Sequence, residues 1–170
     1  RVVAMLHMSN ALGTVLPMRE IIAAAHAHGA AVMVDACQSL VHQGVDVQAL
    51  DADFLAFSGH KLYGPNGTGV LYGKSHLLEA MPPYQTGGEM IDRVTFEETR
   101  FGPVPLKFEA GTPVIAETIA LGAALDYIRQ YDAQAIDAHE DALLREATER
   151  IDALPRYRIV GRAPGKAGVL

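Results

Sequence analysis

One cysteine, Cys37, is all the chain holds. No internal disulfide can form, and a reducing cytosol suits the sequence. Basic residues are scarce as well. Fourteen Lys and Arg stand against 20 Asp and Glu, a net charge of −6 and an isoelectric point near 5.6. That balance argues against a protein that grips a nucleic-acid backbone, which needs a basic face. No run of Lys or Arg is dense enough to make a membrane-surface patch. The longest apolar stretch, Ile21 to Val34, is broken by His26, His28 and Gly29, and it falls short of the ~20 residues that cross a bilayer. The opening residues do not follow a signal-peptide pattern. These absences lead us to expect a cytoplasmic protein with neither a nucleic-acid nor a membrane partner.

What is present is apolar material: 49% of 170 residues are hydrophobic, enough for one sizeable core and about one domain. Arg1 to Leu6 already reads as a buried strand. Arg162 to Leu170 stops where another strand could begin. Both ends therefore read as cut from a longer chain.

The first half alternates short apolar runs with helical segments, the pattern of a parallel sheet covered by helices. Val2 to His7 reads as a strand. Pro17 suits a first helical turn, and the helix is expected to run to about His28, with Gly29 as its stop. Ala30 to Asp35 reads as a strand buried on both faces. Val45 to Leu50 suits a helical turn, Asp53 to Phe57 a strand, and Gly67 to Tyr72 another beside it. Loops and short strands are expected from Met81 to Pro113. Val114 to Tyr131 reads as a buried helix and Ala133 to Leu154 as an amphipathic one. Tyr157 to Val160 is expected to be a strand opening a second, smaller domain.

Three segments place polar groups at the end of an apolar strand, where open α/β sheets bind ligands. They are His7-Met-Ser-Asn10, Asp35-Ala-Cys-Gln38 and Ser58-Gly-His-Lys61. An isolated lysine is ordinarily solvated surface. Lys61, however, follows Phe54-Leu-Ala-Phe57 and precedes the glycine-rich Gly64-Pro-Asn-Gly67-Thr-Gly69, and glycines let backbone approach a ligand closely. A lysine in such a place can form an imine with a carbonyl cofactor such as pyridoxal phosphate. That cofactor also needs an acid to keep its ring nitrogen protonated. Asp35 is placed for this, and equally for capping the segment after its strand. Gln38 could donate to the phenolic oxygen, and Ser58 and His60 to the phosphate. The glycine-rich segment lacks the Gly-Lys-Ser/Thr ending of a nucleotide P-loop and the Gly-x-Gly-x-x-Gly of a dinucleotide turn. His26 and His28, two apart on a helix with no carboxylate expected nearby, do not read as a metal site.

Taken together, His7-Met-Ser-Asn-Ala-Leu-Gly-Thr14, Val34-Asp-Ala-Cys-Gln-Ser39, Phe57-Ser-Gly-His-Lys-Leu-Tyr-Gly-Pro-Asn-Gly-Thr-Gly-Val-Leu-Tyr72 and Phe108-Glu-Ala-Gly-Thr-Pro113 resemble the class V aminotransferase family. Within it they are most similar to the SufS-type cysteine desulfurases and selenocysteine lyases, and Phe-Glu-Ala-Gly-Thr-Pro favours that branch over the NifS/IscS branch. The resemblance implies an α/β fold, the pyridoxal-phosphate transferase fold type I, working as a homodimer. Residues 1–131 would then be the later part of the large cofactor-binding domain, and 132–170 a connecting helix with the start of the small domain. By resemblance, Lys61 would form the Schiff base, Asp35 would pair with the pyridine nitrogen and Gln38 would meet the phenolic oxygen. Ser58 and His60 would bind phosphate, Gly111 and Thr112 would reach the phosphate of the partner subunit, and Asn10 would help position the substrate.

The implied reaction takes sulfur from L-cysteine, or selenium from L-selenocysteine, leaves alanine, and passes the sulfur through an enzyme persulfide to an acceptor protein. Cys37 sits between Asp35 and Gln38, where the family usually has a small residue, so we read it as a small core residue and not as the nucleophile. The family's nucleophilic cysteine and carboxylate-binding arginine lie in a C-terminal part outside these residues. Its ring-stacking histidine lies in an N-terminal part. The fragment alone is therefore expected to be inactive. The alternatives are a kynureninase-, epimerase- or aminotransferase-like relative, or an inactive relative serving as a binding subunit.

Overall fold

Val32 and Val34 are fully buried, and the strand that carries them lies inside the sheet and not at its edge. The computed structural model describes residues 1–170. Four strands, β1 (Val2–Leu6), β2 (Ala31–Asp35), β3 (Phe54–Ser58) and β4 (Gly69–Gly73), form one sheet in the order β1-β2-β3-β4. The first three run parallel, with Leu6 opposite Asp35 and Asp35 opposite Ala56. β4 runs antiparallel to β3, with Ser58 opposite Gly69. The neighbour expected from Gly67 onward is thus present, but its connection is a loop that includes a single turn of 3-10 helix, Gly59–Leu62.

Helix α1 (Met18–Ala27) covers one face of the sheet. Pro17 stands just ahead of it. Gly29 ends it with φ +65°, a conformation that costs glycine little. Met18 and Ile22 of α1 meet Val32, Val34, Ala36, Leu50, Ala52 and Leu55 in one core. Full burial of a side chain of that size stabilises the fold by about 1.5–3 kcal/mol. After the short helix α2 (Ser39–His42), helix α3 (Val47–Leu50) is capped by Asp46, whose Oδ1 accepts from the Gln48 and Ala49 amides at 2.9 Å.

The side chains of β2 that point away from α1 belong to Ala31 and Met33, which are half-buried, and Asp35, which is exposed. The expectation of a strand buried on both faces is therefore corrected, because only one face has a helix over it. The stretch from Met81 to Pro113 holds α4's end, the hairpin β5 (Ile91–Val94) with β6 (Thr99–Phe101), and a 3-10 turn at Leu106–Phe108, where α4 is Ser75–Ala80. Loops and short strands are what the sequence foretells there.

Helix α5 (Ile115–Ile128) is mostly apolar, with Glu117 and Asp126 its only charges, and Leu121 is its one buried residue. Ile115, Ile119 and Tyr127 are exposed. The expected buried helix exists as a helix but not as a buried one, since these 170 residues cover only one of its sides. Helix α6 (Ala133–Asp152) is amphipathic as expected, capped by Asp132 and tied back to α2 by His42 Nδ1 at 2.8 Å from Glu140 Oε2. Tyr157 to Val160 forms no strand. A strand needs a paired edge, and the one bridge near the chain's end joins Lys166 to Thr14.

At the N-terminal ends of the strands lies a charged cluster. Asp53, 6% exposed, accepts from the Val32 amide at 2.7 Å and from Lys74 Nζ at 2.9 Å, and its Oδ2 lies 2.7 Å from His26 Nε2. Asp51 adds contacts to Lys74 at 2.7 Å and to His26 at 3.4 Å. His26 is thus flanked by two carboxylates, contrary to the expectation that none would be near. The turn ahead of β3 that carries them lies 25 and 27 residues further along the chain, a distance that helix periodicity does not reach.

Candidate active site

Parallel strands put their C-terminal ends on one edge of the sheet, and the three polar segments follow β1, β2 and β3 in turn. Backbone hydrogen bonds tie these ends together: the His7 amide donates to the Asp35 carbonyl at 2.9 Å, and the Ala36 amide to the Ala56 carbonyl at 2.9 Å. Asp35 is exposed at this edge. Its Oδ1 accepts from the Cys37 amide at 2.9 Å, closing a tight turn after the strand. Its Oδ2 accepts from no group of the chain. The two readings of Asp35 are therefore compatible, one oxygen for each.

The same turn brings Cys37 Sγ to 3.6 Å from Ser58 Oγ at the end of β3. Gln38, half-buried, precedes α2 directly, and its carbonyl accepts from the Val41 amide at 3.2 Å. Beyond Ser58 the chain enters the 3-10 turn, with His60 exposed and Lys61 half-buried. Lys74 is ion-paired on both sides, whereas no carboxylate of the chain pairs with Lys61. Tyr63 closes the turn at φ +62°, the left-handed region that a bulky residue seldom occupies.

Asn10 is exposed in the loop after β1, beside Ser9, whose Oγ accepts from the Leu12 amide at 3.1 Å. Gly111 and Thr112 lie in a separate loop. The Gly111 amide donates to the Gly88 carbonyl at 2.9 Å, Gly111 has φ +80°, and Thr112 is exposed. The structure thus gathers Asp35, Ser58 and Lys61 at one edge, with Gln38, His60 and Asn10 on the adjoining segments. Gly111 and Thr112 share no hydrogen bond with them. His7 belongs to this edge too: burial lowers its pKa, and its Nδ1 is buried without a partner.

Sequence reasoning missed two features. The Cys37–Ser58 contact joins residues 21 apart, one in the turn after β2 and one at the end of β3, and no local pattern announces it. The Lys61 turn is hemmed in by glycines and Leu121. The glycines at 59 and 64 are its one readable sign.

These groups fit pyridoxal phosphate. They offer a primary amine in no ion pair, a carboxylate with a free oxygen, and hydroxyl, amide and imidazole donors around one edge.

The chain belongs to the class V aminotransferase family, whose model matches residues 1–169. It is 51% identical over 170 residues to a cysteine desulfurase of Synechococcus elongatus, covering all of this chain and 27% of that protein. It is 55% identical over 162 residues to a cysteine desulfurase of Dickeya dadantii, covering 95% of this chain and 39% of the other. Among solved structures, the cysteine desulfurase CsdA of Escherichia coli aligns with TM-score 0.82 at 48% identity, over 92% of this chain and 39% of that one. C-DES with glycine covalently linked to its PLP cofactor aligns with TM-score 0.84 at 27% identity, over 98% and 45%. The chain thus spans less than half the length of these relatives, 27% to 45%.

Proposed function

We propose that this chain is the cofactor-holding central part of a pyridoxal-phosphate-dependent cysteine desulfurase. The single observation that carries the proposal is the grouping of unpaired Lys61 with Asp35 and Ser58 at the C-terminal edge of the sheet, in a chain about half identical to named desulfurases. The division at residues 131 and 132, a homodimer, a protein acceptor for sulfur and a cytoplasmic setting belong to the same proposal and rest on family kinship.

In this reading Lys61 Nζ holds the cofactor covalently, Asp35 Oδ2 keeps a proton on its ring nitrogen, and the Gln38 amide donates to its phenolic oxygen. Ser58 and His60 bind its phosphate, and Gly111 and Thr112 serve the partner subunit's phosphate. When bound, pyridoxal phosphate supplies an electron sink for the pair left on the substrate's α-carbon. Lys61 takes the α-proton of L-cysteine and later returns a proton, a task suited to an amine that no carboxylate restrains. Asn10 orients the amino acid. The net reaction is L-cysteine plus an enzyme thiol giving L-alanine plus an enzyme persulfide, with L-selenocysteine as the alternative donor. The thiol belongs to the parent protein outside these residues, since Cys37 is half-buried and faces Ser58.

The test uses the full-length parent as purified. Borohydride reduction followed by peptide mapping is expected to find a pyridoxyl group on Lys61. Incubation with L-cysteine is expected to yield alanine and protein-bound persulfide in equal amounts. A wild-type adduct without persulfide would move the reading to another reaction of the family. No adduct in cofactor-saturated protein would overturn it.

A further inference from the structure

The turn that carries Lys61 is fixed on three sides. The Gly59 amide donates to the Thr68 carbonyl at 2.9 Å, and the Gly59 carbonyl accepts from the amides of Tyr63 and Gly64. The third side is helix α5. A Cβ added to Gly64 would lie 2.7 Å from Leu121 Cδ1 and 2.9 Å from the Gly59 carbonyl oxygen. A Cβ on Gly59 would lie 2.5 Å from Thr68 Oγ1 and 3.5 Å from the same Leu121 methyl. The two glycines that bracket His60 to Tyr63 thus leave a notch, and one methyl group fills it. Leu121 is 6% exposed, while Ile115, Ile119 and Tyr127 of the same helix are open to solvent.

We propose that Leu121 is a positioning residue for Lys61, holding the turn so that the amine faces the cofactor edge of the sheet. The inference rests on Lys61 being the cofactor lysine. It assigns to α5, which contributes no polar group to the site, the task of setting the lysine's aim. With Leu121 cut back, the Gly59–Gly64 turn keeps its hydrogen bonds but loses its backstop. The amine then samples orientations away from the reacting carbon, and misplacement by about 1 Å is enough to cost up to about a hundredfold in rate. Substrate affinity, which depends on other groups, is left nearly unchanged.

The test compares full-length Leu121→Ala, Leu121→Met and Ile22→Ala, the last a truncation in the core that α1 forms with the sheet. In the apoenzymes, trace acetylation by acetic anhydride reports the reactivity of Lys61 relative to Lys107. Leu121→Ala is expected to change that ratio by about threefold or more. In the loaded enzyme it is expected to lower kcat by about tenfold, with KM within about twofold. Leu121→Met, which refills the notch, returns both to near wild type. Ile22→Ala leaves the Lys61 ratio unchanged although it destabilises the fold. If Leu121→Ala does not accumulate, Leu121→Val carries the same comparison. An unchanged Lys61 ratio in Leu121→Ala, or in Leu121→Val where that stands in for it, or an equal change in Ile22→Ala, overturns the proposal. A wild-type enzyme with no borohydride adduct on Lys61 instead removes the lysine assignment beneath it, so the two failures are told apart.

Discussion

Asp35 divides its carboxylate, one oxygen for the Cys37 amide and one left free at the sheet edge. Asp35→Asn keeps an oxygen for that amide, so thermal unfolding should hardly move. If Asp35 pairs with the cofactor's ring nitrogen as proposed, the substitution removes that negative charge, and turnover of L-cysteine by the parent should fall by about a hundredfold or more. Steady-state kinetics beside a melting curve separate the two effects. Cys37→Ala makes the opposite case. If the thiol is only a half-buried neighbour of Ser58, persulfide formation by the parent should stay within about threefold of wild type. A complete loss of persulfide would make Cys37 the nucleophile after all. The placement of Asp35, Ser58 and Lys61 at one edge was legible because Asp35 and Ser58 end apolar strands and Lys61 follows three residues on. The left-handed Tyr63 was not, since nothing in its own side chain demands φ +62°. That conformation is imposed by the closure of the turn around Gly59.

Among the elements, Asp53 fastens the start of β2 and β3 to the C-terminal ends of α1 and β4, through the Val32 amide, His26 and Lys74. Burial alone would raise the pKa of this carboxyl, but hydrogen bonds from Lys74, His26 and the Val32 amide outweigh it and hold it below the usual range. The unfolded carboxyl titrates near ~3.9, so on acidification the unfolded chain takes up the proton first. The stability that Asp53 provides is therefore whole above that value and drains away as pH falls through it towards the lower folded value. Asp53→Asn should cost about 3 kcal/mol at neutral pH, and it should flatten the acid limb of stability in urea titrations at stepped pH. His7 works in the same direction at milder acidity. Its folded pKa is lowered by burial, so its contribution fades as pH drops below ~6.5. The positions of the strands and the bounds of α1 could be read from periodicity, Pro17 and Gly29. The Asp53 fastening could not, because its partners come from α1, β2 and the start of α4 and meet only after folding.

For the molecule as a whole, apolar composition was legible but its disposition was not. Val2, Leu6 and Leu71 stand exposed on the sheet face opposite α1, and Ile115 and Ile119 on α5. Sequence reading buried β2 on both faces and buried α5 altogether, since an apolar helix normally lies inside a larger protein. Within these 170 residues there is only enough chain to cover one side of each. The segment expressed alone should therefore form ill-defined aggregates and bind a hydrophobic dye, whereas the parent should sediment as one discrete dimer and bind none. Sedimentation velocity and dye fluorescence on both proteins give the comparison.

The Asp53 fastening and the Lys61 edge sit at opposite ends of the same strands. Five residues of β3 separate them, about 17 Å of extended chain. Changes that far apart combine almost additively, within about 0.5 kcal/mol. A lineage carrying this fold is thus free to rewrite what happens at one end without renegotiating its hold on the folded state at the other. Sister enzymes of divergent chemistry should therefore differ mostly at the edge where β1, β2 and β3 finish, and keep the anchorage where those strands begin.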